Sequence, residues 1–357
     1  MEAVRRYLAM RKGLLCAALL ILPVFLAGCG EEKEREPIEL AGELLESGNY
    51  EEARKSYEEL IAEGSNLAES WRGIGISQLM EGSYADACIS FEKSLLNADD
   101  ADPAFIRDTK FYLASSRVKH GEYEKALVLY EELLNGNYDA EVLFLRGSVY
   151  LSSGEPEKAA EDFGRIADNN PSSDLMIRIY EVYRSCGRKL EGTAYLEKII
   201  KGAVSDESDS SRGSAYYYLE DYENAKNNLA MAVKESPEDV SSMMLLGRSY
   251  LALGETENAR AVFTARLDKD AAKAAACDGL ALCDMADGNY EGALEMIRQG
   301  LSCADEMTAA GLYYNEIIAL EYLGQWNEAR EKAAAYVRQY SADEDGAKEY
   351  AFLVTRG

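Results

Sequence analysis

The sequence predicts an all-α chain built from one repeated helix–turn–helix unit, and three observations carry that prediction. The first is a period. A glycine recurs at positions 48, 82, 121, 154, 187, 254, 288 and 324, with Glu220 where one is missing, so successive breaks lie 34, 39, 33, 33, 33, 34, 34 and 36 residues apart. Nine breaks at one spacing take precedence over any domain boundary. The second is amphipathicity on both sides of each break. Around Gly82, Trp71, Ile74, Gly75 and Leu79 fall at helical spacing before the break, and Tyr84, Ala87, Phe91 and Leu95 after it. The third is an alternation of bulk. Ala41, Gly75, Ala114, Gly147, Gly213, Gly247 and Ala281 lie seven residues before their breaks, and Ala53, Ala87, Ala126, Ala159, Ala225, Ala259, Ala293 and Ala329 lie five after. Tyr57, Phe91, Tyr130, Phe163, Leu196, Leu229, Phe263 and Ile297 follow at nine.

Small residues at two facing places let the paired helices approach closely, and the large ones fill the remaining space. Helices of about 14 residues are marginal alone in water, so each pair must be completed by its neighbours. This pattern resembles the tetratricopeptide repeat. The family phrase is matched by Trp71, Ile74, Gly75, Ala87 and Phe91, by Gly147, Tyr150, Gly154, Ala159, Phe163 and Pro171, and by Gly247, Tyr250, Gly254, Ala259 and Phe263. The resemblance implies an alpha-alpha superhelix, a solenoid of about nine repeats over residues 38–345. Tyr180 and Gly192 in the fifth unit, and Ile317 in the ninth, depart from the pattern, and altered spacing is expected there.

In chain order, residues 1–28 read as a processed signal rather than as fold. Arg5, Arg6, Arg11 and Lys12 form a basic start, Leu14 to Leu26 an apolar run short for a span of about 20 residues, and Leu26-Ala27-Gly28-Cys29 closes it. The closing motif resembles the lipobox of bacterial lipoproteins. That resemblance implies cleavage before Cys29, lipidation of Cys29 and a place on the extracytoplasmic face of a membrane in the bacterial cell envelope. Residues 29–37 then read as the lipidated cysteine and a short charged tether.

Within the solenoid, Leu40, Leu44 and Leu45 precede the first break, and Tyr50, Ala53, Tyr57 and Leu60 follow it. An insertion before the third unit ends at Asp102-Pro103, an N-cap followed by proline at the first helical position. Residues 205–213, Ser-Asp-Glu-Ser-Asp-Ser-Ser-Arg-Gly, open the sixth unit. Poor helix-interior residues there predict a shortened or frayed helix and fast hydrogen exchange. The ninth unit carries Tyr313, Tyr314, Trp326, Ala329 and Tyr336, and residues 346–357 read as a capping segment, since terminal repeats need cover.

A net charge of −26, becoming −29 once residues 1–28 with their four bases and one acid are removed, repels nucleic acid and bare anionic lipid. His120, the single histidine, precedes a break glycine, so no histidine metal set can be built. Carboxylates show no spacing that singles out an acid and a base, and the glycines lack the strand context of a phosphate loop. No catalytic residue, metal or cofactor is expected, and the chain reads as a non-enzyme. After Cys29, five cysteines remain, Cys88, Cys186, Cys277, Cys283 and Cys303. An odd, scattered set argues against a disulfide scaffold. Cys283 and Cys303 are nevertheless close enough in a paired unit for one bond to be entertained.

The resemblance also implies that the first helix of each unit lines a concave groove. Counted from the breaks, its fifth places include Arg72, Phe111, Phe144, Ile177, Met244, Asp278 and Tyr314, and its ninth include Ser115, Ser148, Glu181 and Arg248. The Lys and Asn pair with which chaperone-binding members grip a carboxylate tail is missing, which disfavours that partner. Phe111, Phe144, Ile177, Tyr217, Tyr218, Met244, Arg248 and Tyr314 form the candidate groove. An apolar line edged by acids suits a segment of another protein. Replacing Phe111 and Phe144 by serine is expected to weaken capture without unfolding. A structural spacer or assembly factor of the envelope, and a cell-wall polysaccharide module, are the alternatives.

Overall fold

Each break closes one helix and starts the next through a single residue of unusual backbone. The computed structural model describes residues 36–340 and 343–356, which form nineteen α-helices and, among the described residues, no strand. All eight break glycines have φ between 70° and 84°. In this left-handed region a Cβ is costly, which is why glycine recurs. Glu220 takes φ 64° at the sixth break despite its Cβ, a conformation that costs roughly 1–2 kcal/mol per L-residue, and its carboxylate pairs with Lys189. Beyond each turn, capping residues satisfy the next helix where they are available. Asp102 accepts from the Ala104 amide at 2.7 Å, ahead of Pro103.

The chain divides at Ile166 and Ala167 into two units. The first contains α1 (Pro37–Glu46), α2 (Tyr50–Ala62), α3 (Leu67–Met80), α4 (Tyr84–Leu96), α5 (Pro103–His120), α6 (Tyr123–Leu134), α7 (Ala140–Ser152) and α8 (Pro156–Ala167), which ends at the division. Here α1 packs on α2, α3 on α4, and α5 on α6, while each second helix also packs on the first helix of the next pair. Phe91 shows how the pair locks. A Cβ on Gly75 would lie 2.7 Å from the Phe91 ring, and on its other side Phe91 stacks on Tyr112 of the next pair with centroids 5.7 Å apart. Likewise a Cβ on Gly147 of α7 would meet the Phe163 ring of α8 at 2.6 Å.

The second unit contains α9 (Ser173–Ser185), α10 (Lys189–Ile200), α11 (Asp209–Tyr218), α12 (Tyr222–Glu235), α13 (Val240–Ala252), α14 (Thr256–Thr264), α15 (Lys273–Ala286), α16 (Tyr290–Leu301), α17 (Glu306–Tyr322), α18 (Trp326–Gln339) and α19 (Glu344–Val354). The same pairing runs from α9–α10 to α17–α18, and α19 packs on α18 with Leu353 buried. Phe263 of α14 sits between two glycines, because a Cβ on Gly247 would approach its ring to 2.0 Å and one on Gly279 to 2.3 Å. α11 has 10 residues and α12 has 14, so the serine-rich segment does shorten its helix. It is nonetheless tied down. Ser208 and Ser211 form a reciprocal capping box, and Asp206 accepts from the Ser173 amide at 2.7 Å and its hydroxyl at 2.9 Å.

The departures from the repeat phrase keep the interlock by exchanging its sides. In the fifth unit Tyr180 is buried where a small residue is usual, and Gly192 opposite gives way: a Cβ there would lie 3.1 Å from the Tyr180 ring. In the ninth, Ile317 is buried against Ala329, with small Ala333 where a large residue is usual. Cys283 is buried with Met243, Ala259, Phe263 and Leu280, and burial pushes its thiol up to about 11. Cys303 is exposed, its thiol donating to the Gly300 carbonyl at 3.4 Å, so both remain free and the entertained Cys283–Cys303 bond is not formed. His120 is exposed at the end of α5.

Because Phe263 is clamped by glycine on both sides, Gly247→Ala is expected to destabilise the chain by about 1–3 kcal/mol through overpacking. Denaturant unfolding checks this, and Phe263→Leu introduced into the same chain should recover part of the loss.

Candidate binding surface

The side chains singled out by counting along the first helices take different places in the two units. In the first unit they belong to the core. Phe111 on α5 is 3 % exposed and meets Tyr112 edge-on at 6.3 Å, while Phe144 on α7 is 7 % exposed and meets Phe163 at 6.2 Å. The next turn of each helix is polar but committed: Ser115 donates to the Phe111 carbonyl at 2.9 Å and Ser148 to the Phe144 carbonyl at 2.7 Å. Cations nearby are also engaged. The Arg72 guanidinium lies 4.0 Å from the centre of the Phe105 ring, and Arg107 donates to the Leu133 carbonyl at 2.7 Å and to Asp139 at 2.6 Å. These two phenylalanines therefore offer almost no surface to a partner.

The second unit leaves more of its first helices open. Ile177, Tyr217, Tyr218, Met244, Arg248 and Tyr314 are all half-buried. Tyr218 of α11 is held by Tyr180 of α9, whose hydroxyl donates to the Tyr218 carbonyl at 3.2 Å and whose ring lies 5.8 Å away. Tyr217 sits edge-on to Tyr218 at 5.6 Å and to Tyr222 at 5.7 Å. Burial raises the Tyr218 phenol, Glu181 and Tyr217 add to the rise, and Arg184 and Arg248 oppose it, which places two cations and a carboxylate around these rings. Met244 instead joins the cluster around Phe263, and Tyr314 lies against Tyr336 at 6.0 Å. Burial and the carboxylates Glu349, Asp345, Asp343 and Glu321 raise the Tyr314 phenol, so Tyr314 faces α19 and its approach.

Counting missed the feature that ties three first helices together. Asp278 of α15 is buried, accepting from the Asn315 amide of α17 at 2.6 Å and from Arg248 of α13 at 3.4 Å. Burial raises its carboxyl, while Arg248 and Asn315 pull the other way. Arg248 spends one long contact on this carboxylate, and its buried Nε has no acceptor. A signal was present: Asp278 interrupts the small apolar run Ala274-Ala-Ala-Cys-Asp-Gly-Leu-Ala281. Among the described residues no group of histidine, cysteine, aspartate or glutamate could hold a metal ion. No helix of the described residues is long and apolar enough to cross a membrane.

A family model described as tetratricopeptide repeat matches residues 38–104, 112–174 and 211–276, more than half of the chain. The chain belongs to the tetratricopeptide repeat family. None of the curated proteins matches it. Among solved structures it is similar to a tetratricopeptide repeat protein from Parabacteroides merdae ATCC 43184, with 17 % identity, 74 % of this chain and 99 % of that one covered, and a TM-score of 0.46. It is also similar to yeast Tom70, with 14 % identity, 91 % and 82 % covered, and a TM-score of 0.48. The gap in the tetratricopeptide match between 174 and 211 holds the repeat in which Tyr180 and Gly192 have exchanged bulk. The sequence beyond 276 holds the one with Ile317 and Ala333.

Burial of the two phenylalanines reverses the outcome expected from position alone. Phe111→Ser should lower stability by about 3–5 kcal/mol, the range of large core truncations, and a shift of the unfolding midpoint checks it.

Proposed function

We propose that the chain is a non-catalytic scaffold whose second unit receives a segment of another protein, and that a lipid on Cys29 holds it on the extracytoplasmic face of a bacterial membrane. Tetratricopeptide repeats commonly bind protein partners, which supports the general role. The observation that carries the finer reading is the grouping of Tyr217, Tyr218 and Arg248 on consecutive first helices, with the buried Asp278 behind the guanidinium. Aromatic rings supply contact area at low entropic cost, and a guanidinium anchored from behind keeps donors for a carbonyl or carboxylate of the incoming segment. In this reading Phe111 and Phe144 of the first unit, both buried, take no part in binding.

Cys29 and the signal of residues 1–28 lie outside the described residues, and the anchoring half of the reading rests on Leu26-Ala27-Gly28-Cys29 following a basic start and an apolar run. Two or three acyl chains, at about 0.8 kcal/mol per buried methylene, would hold a soluble domain firmly.

A photo-reactive residue placed at Tyr218 in intact cells should give a discrete protein adduct that Arg248→Ala reduces, whereas one placed at Phe111 should give none. Absence of any adduct at 218, or an adduct indifferent to Arg248, overturns the binding surface. Separately, Cys29→Ser should move the chain from the membrane to the soluble fraction, and a mature N-terminus found elsewhere than Cys29 ends the anchoring half.

A further inference from the structure

We propose that Cys277 and Cys303 form a reversible disulfide that staples α15 to the connection following α16. The two thiols come from opposite sides of one helix pair. Cys277 lies on α15 and is fully buried, packed against the last turn of α16: a Cβ added to Gly300 would come within 3.0 Å of the Cys277 Cβ. Cys303 stands three residues beyond that glycine, just past Leu301, the last residue of α16, and is exposed. Its amide donates to the Gly300 carbonyl at 3.1 Å, which keeps Gly300 and Cys303 in one helical turn, and its thiol folds back over the same carbonyl at 3.4 Å. Residues three apart in such a turn carry their Cβ atoms roughly 5–6 Å apart, so both cysteines are neighbours of this one glycine. Burial raises the Cys277 thiol, and the Cys303 sulfur adds to the rise.

Cys283 does not compete for Cys303. It lies about 120° round α15 from Cys277 and is buried among Met243, Ala259 and Phe263 of α13 and α14. A disulfide needs Cβ atoms about 3.5–4.5 Å apart. Cys303 belongs to the connection 302–305, outside both α16 and α17, so its backbone can supply the closing shift without breaking a helix. Oxidation proceeds by exchange with a low-molecular-weight disulfide, RSSR. The exposed Cys303 thiolate attacks one sulfur of RSSR, forming Cys303–S–S–R and expelling RS⁻, which takes up the proton that Cys303 gave. The Cys277 thiolate then attacks the Cys303 sulfur and expels the second RS⁻, which takes up the proton from Cys277. Two protein thiols are oxidised and one RSSR is reduced to two RSH. Cys303 reacts first because Cys277 meets no solvent, and the raised Cys277 thiol makes closure the slower step. The bond closes a loop of about 25 residues. It joins α15, which carries Asp278, to the connection leading into α17, which carries Asn315.

The test incubates the folded full chain with oxidised glutathione in mildly alkaline buffer, blocks the remaining thiols with N-ethylmaleimide and digests without reduction. Mass spectrometry should find the Cys277 and Cys303 peptides joined, lighter by two hydrogens than their sum, with fragmentation placing the bond on Cys277. Reduction by a phosphine should return both thiols. The joined pair should persist in Cys283→Ser and be lost in Cys303→Ser, an exposed position where the change leaves the fold intact. A bond from Cys303 to Cys283 or to any other cysteine of the chain overturns the proposal. So does a dimer linked through Cys303, a folded chain in which Cys303 stops at the glutathione adduct, or a Cys303 that does not react at all.

Discussion

The closure of one bulky side chain over one missing side chain, between the two helices of a pair, is the contact on which the rest of this structure depends. At Gly75 and Phe91, Gly147 and Phe163, Gly213 and Leu229, and Gly247 and Phe263, a single added carbon would fall within 3 Å of the partner side chain. Close approach brings the backbones near enough for the large residue to reach the following pair as well, as Phe91 does with Tyr112 and Phe263 with Gly279. Within each unit, the interlock therefore sets both the geometry inside a repeat and the register between repeats. It also fixes where the first helices carry open side chains.

The period, the pairing and the corners were legible because each has one dominant physical solution. A corner that needs positive φ is nearly always glycine, and Glu220 is found by its place in the series even though it breaks the rule. The exchanges at Tyr180 and Gly192, and at Ile317 and Ala333, were legible only as departures. Complementary bulk can be supplied from either helix, and a position count says which residues face each other without saying which must be large. Repeat identity is thus held by a relation between two positions rather than by the residue at either.

The candidate surface was less legible for a related reason. Counting along a first helix tells the direction in which Phe111 and Phe144 point, but their exposure depends on how far neighbouring helices reach over them. Phe144 meets Phe163 of its paired helix, while Phe111 lies edge-on to Tyr112 of its own helix, which in turn stacks on Phe91 of the preceding pair. The Arg248–Asp278–Asn315 contact was invisible for a stronger reason, since it joins residues 30 and 37 positions apart whose register is set only once three repeats have stacked. What the sequence did show was a lone acid in an apolar run, and a buried acid needs partners.

Each helix in this chain finds its packing partners among the next one or two elements of its unit, and the hydrogen bonds that cross between repeats span some 24 to 38 residues. Low sequence separation is what keeps loop-closure entropy small and folding fast. A nucleus formed at any one corner can be extended in either direction by adding a pair at a time. The left-handed glycine at each break therefore has a kinetic meaning beyond its shape: by making every reversal local, it lets the protein grow its core progressively instead of waiting for distant segments to meet.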